Sequence, residues 1–225
     1  MITKLGYGLL LSAAGIVVSG AAFATDVGPY ISIGIGAHMP GDSTAQAHIP
    51  ASGPASNFKS QLGAGFIGVS SFGYKWDTGF RTELEAGYRQ SEFVKINGTS
   101  ANGAQSVLDV SANLLYDFDT RSKFTPYVGG GLGVASYKWS NVATSVSPVY
   151  NDRATAFQWQ GIAGVNMKVS SRTRVFIEYR YIGAGSSEFE SRPAGSLVTD
   201  HDDRSSNILV GFRFALNSPA SHSEP

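Results

Sequence analysis

The chain has no cysteine. Disulfide cross-links and thiolate metal sites are therefore excluded. Charge is scarce as well, at 15% of residues, where soluble globular domains usually carry roughly 25%. Neither sign dominates. Beyond residue 24, 16 Lys and Arg stand against 17 Asp and Glu, so the basic footprint of a nucleic-acid-binding protein is missing and no nucleic acid partner is expected. The third absence is the long apolar run. Past residue 24 nothing approaches the ~20 apolar residues of a helical membrane span.

The first 24 residues differ from the rest. Lys4 precedes an apolar, small-residue stretch, and Ala22-Phe23-Ala24 matches the A-x-A site of a secretory signal. Residues 1–24 are read as a cleaved signal peptide, with the mature chain starting at Thr25. An uncleaved helical anchor is the rival reading, disfavoured by Ser19, Gly20 and the small-residue site.

Glycine and aromatics fill the space left by charge: 27 Gly, 13 Phe and 10 Tyr. Their placement is periodic. In the segment 157–168, Phe157, Trp159, Gly161, Ala163, Val165 and Met167 alternate with Gln158, Gln160, Ile162, Gly164, Asn166 and Lys168. Successive strand side chains point to opposite faces, so one face is apolar and the other mostly polar. The segment 109–118 repeats the pattern. Alternating segments of about ten residues, separated by turn residues, mark a transmembrane β-barrel. Eight such strands are expected, near 30–38, 61–74, 80–93, 106–118, 124–139, 154–169, 174–184 and 207–216. The fold class is thus all-β, an eight-stranded antiparallel up-and-down barrel. Mean hydropathy near zero agrees, because polar lumen and apolar exterior cancel.

Short polar links at 76–79, 119–123 and 170–173 alternate with long ones at 39–60, 94–105, 140–153 and 185–206. Such barrels have short periplasmic turns and long extracellular loops. Aromatics gather in two belts. Phe72, Tyr74, Trp76, Phe80, Phe118, Phe124 and Phe214 lie near the short turns, and Tyr88, Phe93, Tyr137, Trp139, Phe157 and Trp159 near the long loops, as membrane interfaces select.

The segments Leu114-Leu-Tyr-Asp-Phe118, Thr125-Pro-Tyr-Val-Gly-Gly-Gly-Leu-Gly133, Gln160-Gly-Ile-Ala-Gly164, Glu178-Tyr-Arg-Tyr181 and Leu209-Val-Gly-Phe-Arg-Phe214 together resemble the OmpA-like and opacity-type group of small eight-stranded outer-membrane barrels of Gram-negative bacteria. The resemblance covers about 29–214. It implies an outer-membrane location, contact with outer-membrane lipid, and recognition by the barrel assembly machinery through a terminal signal at Gly211, Phe212 and Phe214. Members include envelope-anchoring proteins, adhesins and surface antigens. Residues 25–214 are assigned to the barrel and 215–225 to a disordered periplasmic tail, polar and with two prolines, which is expected to be dispensable for assembly.

Candidate chemistry is thin. Glu83, Glu85, Arg89, Asp109, Asp117, Lys168, Glu178, Arg180 and Arg213 share the inward face. They are read as a salt-bridged lumen network, with pairing expected across the third, seventh and eighth strands, because an eight-stranded barrel is just wide enough for side chains to fill. The rival reading is an acid/base dyad, which needs substrate access. The Gly129–Gly133 run lacks the helix and Lys-Ser/Thr of a phosphate loop. His201, Asp202 and Asp203 have the oxygen and imidazole donors of a cation site but are read as solvated loop charge, so no metal and no cofactor is expected. The expected role is non-enzymatic: envelope structure and surface display through four loops. An adhesin or surface antigen with its own ligand, or a narrow low-conductance channel, are the alternatives.

Overall fold

The computed structural model describes residues 27–41, 43–48, 56–96, 98–120, 122–144, 147–185, 189–191, 196–199 and 204–217. Residues 1–24, the cluster His201, Asp202 and Asp203, and most of the expected tail lie outside them. Every regular element among the described residues is a strand: β1 (Gly28–Pro40), β2 (Ser43–His48), β3 (Ser56–Leu62), β4 (Gly65–Lys75), β5 (Phe80–Ile96), β6 (Thr99–Asp117), β7 (Phe124–Thr144), β8 (Ser147–Lys168), β9 (Thr173–Ala184), β10 (Phe189–Ser191), β11 (Ser196–Thr199) and β12 (Arg204–Ala215).

Eight of these close a barrel. Each of β4 to β8 pairs antiparallel with the next, β9 pairs with β12, and β1 closes the ring between β12 and β4. Closure leaves no edge in the wall, so its backbone polar groups are satisfied without water. The alternation sets which side chains face in. Leu84 and Ile177 are 61% and 63% exposed on the outer wall, while their neighbours Glu83, Glu85 and Glu178 are buried. A one-residue slip would reverse this, so the apolar outer face fixes the register.

Among the described residues, two of the expected long loops are instead mostly strand. The segments 94–105 and 140–153 continue β5 into β6 and β7 into β8, so those hairpins project far past one rim. Beyond the membrane both faces of a strand meet water, and polar residues there carry no amphipathic period. The other two long links hold β2 with β3 and β10 with β11. These four join in the order β10-β11-β2-β3 and dock on the far end of β5. The opposite rim carries the short turns. In one of them, Trp76 N donates to Phe80 O at 2.8 Å, and Gly79 sits at φ 89°, a left-handed value that favours glycine.

Close packing inside explains part of the glycine content. A Cβ on Gly131 would lie 1.9 Å from Asn113 Oδ1, and one on Gly164 would lie 2.5 Å from the Tyr127 ring. The wall gives up side chains there so that Asn113 and Tyr127 can fill the lumen.

The aromatic belt at the long-loop rim needs correction. Phe93 and Tyr137 are buried inside, and Trp139 is half-buried against Phe93 and Ala101. Their positions share the parity of the lumen residues, which outweighs any interfacial preference. With Val107, Ala135, Ala154, Ala156 and Ala184 they form an apolar layer inside that end of the barrel.

Candidate functional site

The interior is a stack of polar layers, built by the inward residues of all eight wall strands. Nearest the short turns, Arg81 on β5 is fully buried. Its Nε donates to Asp117 Oδ1 at 2.7 Å and its Nη1 to Glu83 Oε1 at 2.8 Å. Lys75 Nζ lies 3.0 Å from Asp117 Oδ2, so two cations share that carboxylate. Glu83 also accepts from Tyr30 Oη at 2.6 Å and lies 3.7 Å from Arg213 Nη2. Arg213 donates to Asn166 Oδ1 at 2.8 Å. Its guanidinium lies 5.0 Å from the Tyr30 ring centre, and that of Arg81 lies 4.8 Å from the Tyr127 ring centre. Aromatic faces attract desolvated cations, so the rings add to what the carboxylates hold.

The middle layer centres on Arg180 of β9. Its Nε bonds Glu178, and its Nη1 and Nη2 grip both oxygens of Glu85 on the opposite wall. Tyr127 Oη donates to Glu178 Oε2 at 2.7 Å, and Gln160 Nε2 donates to Asn113 Oδ1 at 2.7 Å and Glu85 Oε1 at 3.2 Å. Above it, Arg89 Nη2 donates to Gln158 Oε1 at 2.9 Å and lies 3.6 Å from Asp109 Oδ1. Bidentate, charge-assisted contacts of the Arg180–Glu85 kind fix geometry as well as energy.

Of the nine residues singled out from the sequence, eight are buried in these layers and Lys168 is not. Lys168 has inward parity, but it is the last residue of β8, where the wall ends. Its side chain is exposed to water at the mouth. The reading also omitted Lys75, Arg81, Tyr30 and Tyr127. With Lys75 and Arg81 included, five cations (Lys75, Arg81, Arg89, Arg180, Arg213) meet five carboxylates (Glu83, Glu85, Asp109, Asp117, Glu178), so the described lumen charge balances. Arg81 was recoverable, since it precedes Glu83 by two on the same face. Tyr127 was recoverable too: if Gly129, Gly131 and Gly133 face inward, it does as well.

The terminal segment is part of the wall. Gly211 faces the lumen, where a Cβ would lie 2.2 Å from Ile33 O. Phe212 faces outward, with Phe214 stacked 6.2 Å away. The strand runs to Ala215, whose N donates to Arg172 O at 2.8 Å, and Leu216 N donates to Pro29 O at 2.9 Å. Asn217 Nδ2 bonds Val27 O. The bonded chain thus runs three residues past the barrel boundary expected at Phe214, while β12 itself ends within one residue of the expected 216.

This architecture agrees with known proteins. The outer membrane protein from Salmonella typhimurium called PagN is 28% identical over 151 residues, covering 62% of this chain and 63% of PagN. The chain therefore spans less than two thirds of that relative. Among solved structures, OprG from Pseudomonas aeruginosa superposes with a TM-score of 0.63 at 16% identity, over 87% of this chain and 99% of OprG. Neisserial surface protein A does so with a TM-score of 0.51 at 20% identity, over 83% and 96%. At such identities these two speak for the fold alone. The family model described as the outer membrane protein beta-barrel domain matches residues 9–215. The chain belongs to that family, and its place is the outer membrane of a Gram-negative bacterium.

Proposed function

We propose that this protein is a non-conducting, non-catalytic barrel that adds to envelope structure and holds a strand-built extracellular platform for a surface ligand. The observation that carries the reading is the filled lumen. Arg81, Arg89, Glu85 and Arg180 are each at most 3% exposed and bonded to other wall residues. Water and ions would have to break those pairs to pass. A substrate would face the same barrier, so Glu85 and Glu178 serve as counter-charges to Arg180 rather than as an acid/base pair. The platform supplies the second support. β7 and β8 run 21 and 22 residues, about twice the ~9–11 needed to cross a bilayer. β2, β3, β10 and β11 add a sheet on the same side. Recognition concentrates on such projections from a rigid scaffold.

Planar-bilayer recordings of the refolded protein test the first part, with little or no conductance expected. A large stable open state would establish a channel instead. A deletion strain assayed together for detergent sensitivity and for adhesion tests the second. Loss of adhesion is expected with at most a mild rise in sensitivity, and unchanged adhesion would remove the recognition role.

A further inference from the structure

The outer wall is not evenly covered by side chains. Thr82, Ala112 and Gly130, all small, stand at outward positions of β5, β6 and β7 and leave an open groove of about 860 Å³ on the membrane side. Phe72 bounds it toward β4, and Leu132 and Trp159 bound it toward β8. A second feature lies on the same two strands. Lys138, six residues beyond Leu132 on β7, is exposed on that face and has no hydrogen bond or ion pair among the described residues. Arg153, six residues before Trp159 on β8, stands opposite Lys138 in the register. Like-charged residues directly opposite destabilise a strand pair, and a shared anion relieves the repulsion. Glu92, the carboxylate on that face of β5, lies two strands away. Between groove and cations the paired positions run from Val134–Phe157 to Ser136–Thr155, so the face turns from apolar to polar just below Lys138.

The spacing fits one occupant. Six strand residues span about 20 Å. At a strand tilt of roughly 35–45° this is about 15 Å of depth, half of a hydrocarbon core about 30 Å thick. A lipid with its phosphate at Lys138 therefore carries its acyl chains down to the level of the groove. The same tilt offsets the groove from the cations by about 13 Å along the wall, which a broad headgroup with several chains spans and a two-chain phospholipid does not. From this geometry we infer that the long-loop half of the outer wall holds one phosphorylated, multiply acylated glycolipid of the outer leaflet, its phosphate at Lys138 and Arg153 and an acyl chain in the groove.

The test is native mass spectrometry of the full chain refolded in detergent micelles and titrated with bis-phosphorylated lipid A, with the same lipid stripped of its phosphates, and with phosphatidylglycerol. One lipid A should be retained per barrel, and the other two lipids should be held about tenfold or more weakly. Lys138→Gln and Arg153→Gln should each weaken retention about tenfold, as loss of a charge-assisted contact does. Ala112→Phe should do the same from the other end, because the ring takes the space of the acyl chain. Lys123→Gln, at the short-turn rim, should change nothing. Heat-modifiable mobility shows that each variant is folded, so a loss of lipid is not a loss of the barrel. Equal retention with and without phosphate, equal retention of phosphatidylglycerol, or retention unchanged in Lys138→Gln or in Ala112→Phe would overturn the assignment. So would a dimer that excludes lipid A, which would give the groove to a second copy of the chain.

Discussion

Arg180 sits where Glu85 and Glu178 would otherwise face each other across the lumen with nothing between them. Removing one partner of a buried ionic group leaves uncompensated charge, which costs about 3–5 kcal/mol. Here two carboxylates are stranded, so Arg180→Gln should fall at the upper end of that range. Lys168→Gln, at an exposed position of the same parity, should stay within about 0.5 kcal/mol of the parent. Urea titration of the refolded protein, followed by heat-modifiable gel mobility, compares the two; equal midpoints would mean the Arg180 cluster contributes no net stability. Parity told the two sites apart from outward residues but not from each other. Arg81 and Lys168 both lie near a strand end facing inward, yet one is fully buried and the other exposed. What separates them is depth, set by the strand's tilt and the partner opposite. Asp117 waits for Arg81, while Lys168 pairs in register with Arg174, another cation. Neither tilt nor cross-strand register is written in the alternation.

At the level of the strand, the alternation carried most of the information wherever one face meets lipid. Leu84 lies between Phe72 and Ala112 on the outer wall. Leu84→Arg should cost about 2–4 kcal/mol near the midplane, and folded fraction in isolated outer membranes is the measure. Tolerance equal to that of a lumen substitution would mean the register is wrong. Where both faces meet water the signal disappeared, which is why 94–105 and 140–153 read as loops. The strand's end was legible to within one residue, 216 expected against Ala215, but the barrel boundary set at Phe214 is a different matter. Aromatic alternation stops at Phe214, but hydrogen bonding continues through the backbone N–H groups of Ala215 and Leu216 and the side-chain amide of Asn217, and backbone donors leave no mark in side-chain pattern. Ending the chain after Asn217 should therefore leave assembly unchanged. Ending it after Phe214 removes three hydrogen bonds that tie the last strand to Arg172, Pro29 and Val27, worth about 1 kcal/mol each. A folded fraction equal for the two truncations would return the boundary to Phe214.

Taken whole, the molecule divides into a barrel that closes on its own and a platform that depends on it. The barrel ring needs only β1, β4 to β9 and β12, and the strands β2, β3, β10 and β11 pair with the ring at the outer end of β5, with β10 also lying against β8. Their removal takes away no layer of the charged lumen, since Arg81, Glu83, Glu85, Glu178, Arg180 and Arg213 all bond within the ring. Stability and recognition should then be separable. A variant with short turns in place of 43–60 and 189–199 should refold with the parent's heat-modifiable mobility and a urea midpoint close to the parent's, because long surface insertions add little closure cost and their loss recovers little. The same variant, restored to a deletion strain, should repair envelope integrity and fail to restore adhesion. If it failed to fold, the platform would be part of the barrel's stability. If it folded and restored adhesion in full, recognition would lie on the projecting β5–β6 and β7–β8 hairpins instead.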